Sequence, residues 1–458
     1  MREKILDFID SNKFVYFLMG LSIINWTLET IYIYTPIAIV FVYVIILLDL
    51  DRMKLISILI AGLICFQLEQ IEAHIITFGI MMLLLLPIFI YDLIKNKKYK
   101  FNYIFFGLLM WVLATISSTL RTTLLIHSLT GILQMVLLLS IFFYFSSVLT
   151  LDNQKYKNTL LINFIALAFA IIVETLISLF LMGNFQNFIN NDFTLGWGSF
   201  PTISTIFLIV LFIIIGEFSQ KTNSIILPIL INIFIIFFLF FMTRGIYIVF
   251  LVLIIPFILH ISKDFENKNK LIRFTTITLM TVLCVILLVG IPFDIVGSVI
   301  ERLSDKTVNF ENLDIAFYKG MDIFLLNPIY GTGVFTSHYF IEDITSGLGN
   351  SFFYSNSIVR ILSSLGLVGV GCFIYFLFTV FKSVGKGTVY NKIVLYILIA
   401  FIILGFFEAV FLNVLAMVLL ILLLVGIEQQ EERYKGEKEE EIHIEQEEKK
   451  EEEELCMK

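Results

Sequence analysis

Across 458 residues the chain is 59% hydrophobic and 15% charged, with a mean hydropathy of +0.95, more apolar side chains than a water-soluble domain of this size can bury. A water-soluble enzyme, a disulfide-stapled secreted scaffold and a nucleic-acid binder are thereby excluded, and an all-α polytopic membrane protein is expected. The formal charge of −7 belongs to the end of the chain: residues 428–458 hold 14 Glu against 6 Lys and Arg, leaving 25 basic and 24 acidic residues in the rest.

The amino terminus, MREKILDFIDSNK, is basic and amphipathic and has no small-residue cleavage site, so no signal peptide is expected. From Phe14 onward, apolar runs separated by short polar knots match the length that a helix needs to cross about 30 Å of hydrocarbon. They predict fourteen spans over 14–28, 31–48, 54–67, 74–94, 102–120, 123–149, 158–182, 202–218, 224–242, 245–262, 271–293, 357–380, 391–407 and 409–427. These make up a membrane-embedded helical domain over residues 1–427. A single long outer loop, 294–355, separates spans eleven and twelve and is expected to hold short helices of its own. The tail 428–458 is Glu/Lys-rich and reads as a solvated cytoplasmic segment. The four cysteines are far apart and have no CxxC or other metal-ligand spacing, so neither metal nor cofactor is expected.

If both termini are cytoplasmic, the connections DLDRMK, KNKKYK, LDNQKYK, SQKTN, SKDFENKNK and FKSVGKGTVYNK all face inward, as the positive-inside rule requires. The basic residues left outside are Arg121, Arg244, Arg302, Arg360, Lys306 and Lys319, half of the eight arginines but only two of the 23 lysines. Guanidinium binds phosphate bidentately and tolerates partial burial, so an outward-facing phosphate group is the first functional indication. The 294–355 loop adds carboxylates (Glu301, Asp314, Asp322, Glu342) beside aromatic rings (Phe317, Tyr318, Tyr330, Tyr339). That pairing suits a polyhydroxylated ligand, with acceptors for its hydroxyls and flat faces against its C–H bonds, and it also suits a plain interfacial helix.

Three places can carry chemistry. Arg244 stands at the outer end of a helical pair, with Gly245 allowing a tight turn, and Arg121 occupies a similar turn after the fifth span; charge at this depth is either functional or snorkelling. In SNSIVRILSSLGLVGVG, helical spacing sets Asn356, Arg360 and Ser363 or Ser364 on one stripe, while Gly366 and Gly369 let a neighbouring helix approach. Upstream, NPIYGTGVFTSHYF has a turn at Gly331 and Gly333, then His338 and Glu342, either of which can act as a base toward a hydroxyl. Glu174, His127 and Gln134 lie within spans, where such groups are either functional candidates or hydrogen bonds that fix helix packing, and Glu29 and Glu408 read as markers of short outer turns; none is assigned to catalysis.

The order of these elements resembles the O-antigen polymerase (Wzy) and O-antigen ligase superfamily, a GT-C-like membrane architecture with one large outer loop. GWGSFPTIS resembles the family's Gly/Pro stretch before a helix, MTRG its arginine-glycine turn, and NPIYGTGVF the segment ahead of its His-Asn motif. Ser355-Asn356, nine residues and Gly366-Leu-Val-Gly369 follow the ligase pattern except that Ser355 stands where ligases have a histidine, which favours the polymerase branch. The resemblance implies a metal-independent glycosyltransferase in a bacterial cytoplasmic membrane. It would join undecaprenyl-diphosphate-linked oligosaccharide repeat units on the outer face, among membrane lipids and beside a flippase and a chain-length regulator. Arg244, Arg360 and Arg121 would hold the diphosphate, His338 or Glu342 would take the proton, and Asn356, Gly331 and Gly333 would support them. An O-antigen-ligase-like transfer of finished polymer and a lipid-linked oligosaccharide flippase are the alternatives; the second would show two similar halves, and no internal repeat is visible.

Overall fold

The computed structural model describes residues 2–30, 32–65, 71–96, 99, 101–122, 125–149, 153–184, 188, 194–198, 200–220, 226–241, 243–262, 310–334, 356–384 and 388–428, with isolated helical positions between 276 and 300. Every element among them is helical. In chain order these are α1 (Arg2–Asp10), α2 (Lys13–Thr27), α3 (Tyr34–Leu47), α4 (Lys54–Leu63), α5 (Ile71–Asn96), α6 (Tyr103–Thr119), α7 (Leu125–Val148) and α8 (Asn153–Leu176). After them come α9 (Phe200–Gln220), α10 (Ile226–Phe241), α11 (Arg244–Ile261), α12 (Phe310–Leu326), α13 (Ser357–Val384), α14 (Val389–Leu404) and α15 (Val414–Glu428).

Four stretches, Gly131–Val148, Gln154–Leu181, Phe200–Gln220 and Ser357–Val384, are long and apolar enough to cross a membrane, and further apolar helices are shorter. This is an all-α protein with the helices of a membrane protein. Helices are what such a sequence must form, because only they satisfy every backbone N–H and C=O from within when no water is at hand. The predicted span 54–67 is shorter than expected: α4 has ten residues, about 15 Å at 1.5 Å per residue. Span 158–182 ends in a π-helical segment, Ile177–Leu181, in place of a regular turn. The expected span 271–293 falls almost wholly outside the described residues.

Two helices lie inside the bundle. Every residue of α15 from Leu415 to Glu428 is buried, and α9 is buried over 89% of its apolar window. A helix that is apolar all round is stable only when neighbours surround it. Polar tethers fix its height: the Tyr156 hydroxyl donates to the Leu422 carbonyl, Tyr390 to Leu423 (2.8 Å), and Gln134 Nε2 to Leu412 just ahead of α15 (2.8 Å). Gln134 thus does the packing work its sequence context suggested.

Helices α6 and α13 run antiparallel. At one end the Ser118 hydroxyl donates to the Ser364 carbonyl, and at the other Lys382 lies 4.0 Å from the centre of the Tyr103 ring. The molecule therefore has two distinct polar ends, named here after Arg52 and Arg360. Arg52, Asp92, Lys95 and Lys155 gather at the first, while Arg121, Arg360 and the start of α11 gather at the second, the separation that the charge pattern predicts.

Candidate functional site

The Arg360 end is built around a break. At Gly366 the backbone adopts φ 63°, ψ −164°, a conformation essentially confined to glycine, and α13 divides into a short leading half and a long trailing half. A break inside a membrane helix strands carbonyls on one side and amides on the other, and these need protein partners. The segment Asn327–Val334 supplies them. Its Thr332 and Gly333 amides donate to the Ser363 and Ser364 carbonyls (3.0 and 2.9 Å), and its Pro328 and Ile329 carbonyls accept from the Leu367 and Val368 amides (2.9 and 3.1 Å).

This strap passes so close that a Cβ on Gly331 would strike the Ser364–Leu365 backbone, and one on Gly366 would strike the backbone of Ile329 and Gly331. The turn expected at Gly331 and Gly333 is present, with positive φ at both. The role expected of Gly366 and Gly369 is corrected: they do not admit a neighbouring helix. Gly366 breaks its own helix and admits the strap, and Gly369 faces Leu365 across the kink.

The leading half of α13 carries two of the expected site residues. Asn356 caps it, with Oδ1 accepting from the Ile358 and Val359 amides (2.9 and 3.1 Å) and Nδ2 donating to the Phe406 carbonyl (3.0 Å). Both ends of this amide are therefore spent on backbone, and its part is support. Arg360 follows one turn later and is 7% exposed. Arg121, exposed at the end of α6, lies with its guanidinium carbon 5.0 Å from the centre of the Tyr330 ring in the strap, a cation–π distance. The strap thus joins the Arg121 turn to the helix that bears Arg360.

The third arginine reaches the same end by another route. Arg244 opens α11, immediately after Thr243, whose hydroxyl donates to Glu408 Oε1 (2.7 Å). Gly245 lets α11 approach the turn after α14: a Cβ there would run into Phe407 and lie 3.6 Å from Glu408 Oε1. The same turn is gripped by α13, since the Ser357 hydroxyl donates to the Glu408 carbonyl (2.8 Å) and the Ser357 amide to the Gly405 carbonyl (2.9 Å). Asn413, just beyond it, caps α15 and donates to Thr202 Oγ1 at the start of α9 (2.9 Å).

Four short segments far apart in the chain, 196–204, 243–245, 327–334 and 356–369, thus reach one end of the bundle, three of them through contacts with the 405–413 connection and 327–334 through its bonds to 363–368. In the first, Trp197 Nε1 donates to Glu174 Oε2 (2.8 Å), which ties the loop down onto α8. Helix α12 precedes the strap and packs on α13, as the expectation of a helix inside the 294–355 loop required. Its Phe317, Tyr318 and Asp322 are exposed.

The expected bases His338 and Glu342 lie outside the described residues, as does the tail from 429. Sequence reasoning passed over Thr243, Ser357 and Glu408. Glu408 had been read as a turn marker, which it is, but nothing in its local sequence says that the turn is held between two arginine-bearing helix starts. Its carboxyl is partly buried, and burial pushes it up to about 7, against the opposing pull of the Thr243 hydrogen bond. No family model matches the chain, and no curated protein is detectably similar to it.

Proposed function

We propose that the protein is a polymerase that joins undecaprenyl-diphosphate-linked oligosaccharide repeat units into surface polysaccharide on the outer face of a bacterial cytoplasmic membrane. In this reading the chain crosses the membrane about fourteen times with both termini inside, and the Arg360 end faces out. The observation that carries the reading is the meeting of Arg121 with the strap, and of Arg360 and the Thr243-Arg244 turn with the helix that the strap holds. Three arginine-bearing elements that meet at one end of the bundle suit a lipid-linked diphosphate, whose leaving oxygens need charge-assisted donors as the glycosidic bond breaks.

The strap gives this arrangement its rigidity. Backbone-to-backbone hydrogen bonds from the strap fix the leading half of α13 against the trailing half, and the Ser118 hydroxyl ties it to α6, so Arg360 stands on a braced element and not on a free loop. The aromatic and acidic exposed face of α12, immediately ahead of the strap, suits the sugar portion of such a substrate. Hydroxyl activation falls to an acid–base group at the same end, for which the outer loop offers His338 and Glu342.

The test is to incorporate the full-length protein in liposomes, add the lipid-linked repeat unit isolated from the parent organism, and separate the products by size. A ladder with a spacing of one repeat unit is the expected result. Movement of the substrate across the bilayer without extension would make the protein a transporter. Transfer of finished polymer to a different acceptor, again without a ladder, would make it ligase-like.

A further inference from the structure

Glu408 combines three features that no other described acid at the Arg360 end shares. It lies in a connection and not within a helix, it is held from three sides, and it keeps one carboxylate oxygen uncommitted. Its amide donates to the Leu404 carbonyl, its carbonyl accepts from Ser357, and Oε1 accepts from Thr243. The second oxygen, Oε2, makes no hydrogen bond among the described residues, and the residue retains partial exposure. Glu174 at the same end is sealed, with no exposure, and at the Arg52 end Asp49, Asp51 and Asp92 are spent on ion pairs.

We infer that Glu408 is the general base for the acceptor hydroxyl, an assignment that rests on the polymerase reading above and gives the role to the 405–409 turn in place of the outer loop. The turn is clamped between the start of α11, where Arg244 stands, and the start of α13, where Arg360 follows one turn on. In that reading the carboxylate stands between the two elements that hold the diphosphate, beside the bond that breaks. In the step, Glu408 Oε2 takes the proton of the acceptor hydroxyl, and that oxygen forms a bond to the anomeric carbon. The bond from that carbon to the phosphate oxygen breaks, and its electron pair leaves with undecaprenyl diphosphate. Glu408 then returns its proton to water.

The environment suits the task, because a base works best when its pKa lies near the working pH, and burial holds this carboxyl near 7. On the elements packed against the turn, α11 carries Arg244 at its start and His260 in its last turn, and α13 carries Arg360 near its start and Lys382 near its far end. α14 carries only Lys392, near its opposite end, and the 410–413 segment carries none. Deprotonated Glu408 is the active form, so the rate should rise as pH climbs through about 7 and level off above it.

The experiment measures single-step extension of the lipid-linked repeat unit by the full chain in liposomes, against pH, for the wild type and for E408Q, E408D, T243V, H338A and E342Q. The glutamine keeps an acceptor oxygen for Thr243, so the turn survives while the base is lost. E408Q should slow extension by about 10²-fold or more and abolish the rise through pH 7. E408D should keep a measurable rate with its rise displaced, and serves as the deciding variant if E408Q does not fold. T243V, which loses the hydrogen bond but keeps the carboxylate, should lose far less than E408Q and retain the rise.

Wild-type rates from E408Q, or an unchanged rise through pH 7 in that variant, overturn the assignment. So does an equal loss in T243V and E408Q, which would leave Glu408 only a clamp on the turn. A comparable loss in H338A or E342Q with E408Q active returns the role to the loop. If the wild-type protein makes no ladder at all, the polymerase reading fails and takes the assignment with it.

Discussion

At the Arg52 end charge is answered by charge; at the Arg360 end Arg121 is answered by a ring and Glu408 by a hydroxyl. Asp92 is fully buried and takes Arg52 at 2.8 Å, the Tyr144 hydroxyl at 2.7 Å and Asn96 Nδ2 at 3.1 Å. Arg52 also reaches Asp49 at 2.7 Å and the Leu50 carbonyl at 2.7 Å, while Lys95 pairs with Asp49 and Lys155 with Asp51. All of these ion pairs lie at this end. Across the molecule, Arg121 meets Tyr330 and Glu408 meets Thr243. Closed ion clusters tie helices together and have no capacity left for a ligand, whereas Arg121, exposed and set against a neutral ring, keeps its charge available to one.

Four substitutions break or sharpen this contrast, beginning with the largest effect. Gly366→Ala should destroy the Arg360 end outright, since the added carbon meets the strap's backbone at a conformation that alanine avoids. We expect a loss of about 5 kcal/mol or more, read as failure to obtain a monodisperse protein or as a collapse in melting temperature, with no polymer formed. Asp92→Ala removes the buried partner of Arg52 and leaves the Tyr144 hydroxyl unpaired at the other end, and should cost about 3 kcal/mol. Thermal unfolding in detergent checks this, and the fraction that remains folded should extend polymer at the normal rate. A matching loss of activity per folded molecule would mean that the two ends are coupled.

Arg360→Lys keeps the charge but loses the planar fork that matches phosphate. A charge-assisted hydrogen bond is worth about 1.5–3 kcal/mol, so extension should fall about 10- to 100-fold while the protein still purifies. The smallest effect is expected at Asp49, whose carboxyl is held below the usual carboxylate range first by Lys95 and then by Arg52. A depressed carboxyl stabilises the fold above its ordinary pKa and loses that contribution as pH falls through its lowered value. Melting temperature should therefore sag in acid in the wild type and less so in Asp49→Asn. The sag should be slight, because this side chain is 63% exposed and the solvent screens it.

The ends themselves were legible. Lysine-rich connections and the remaining arginines sort by sequence alone, and the structure sets Arg52 and Lys155 opposite Arg121 and Arg360. Individual roles were not legible. Arg52 reads as one more basic residue in DLDRMK, yet it is among the most tightly tied charges in the protein, because its partner Asp92 comes from another helix 40 residues on. Asn356 reads as a polar residue of a site and acts as a helix cap. Glu408 reads as a turn marker and proves to be the carboxylate between two arginine-bearing helices, a fact that depends on Thr243 lying 165 residues away.

What the sequence determined by itself is the helical membrane character, most element positions and the turn glycines, because hydropathy, period and the φ preferences of glycine act over a few residues. The segment predicted at 202–218 forms over Phe200–Gln220, and 357–380 over Ser357–Val384. What only the tertiary structure decided is which helices are enclosed and which is broken. The best apolar windows of α9 and α13 have the same mean hydropathy, 2.2, yet the first is 89% buried and the second 44%. A bilayer and a protein interior are both apolar, so composition cannot tell a helix that faces lipid from one that faces other helices. A glycine pair permits a break and permits close packing equally, and at Gly366 the arrival of the strap settles which occurs.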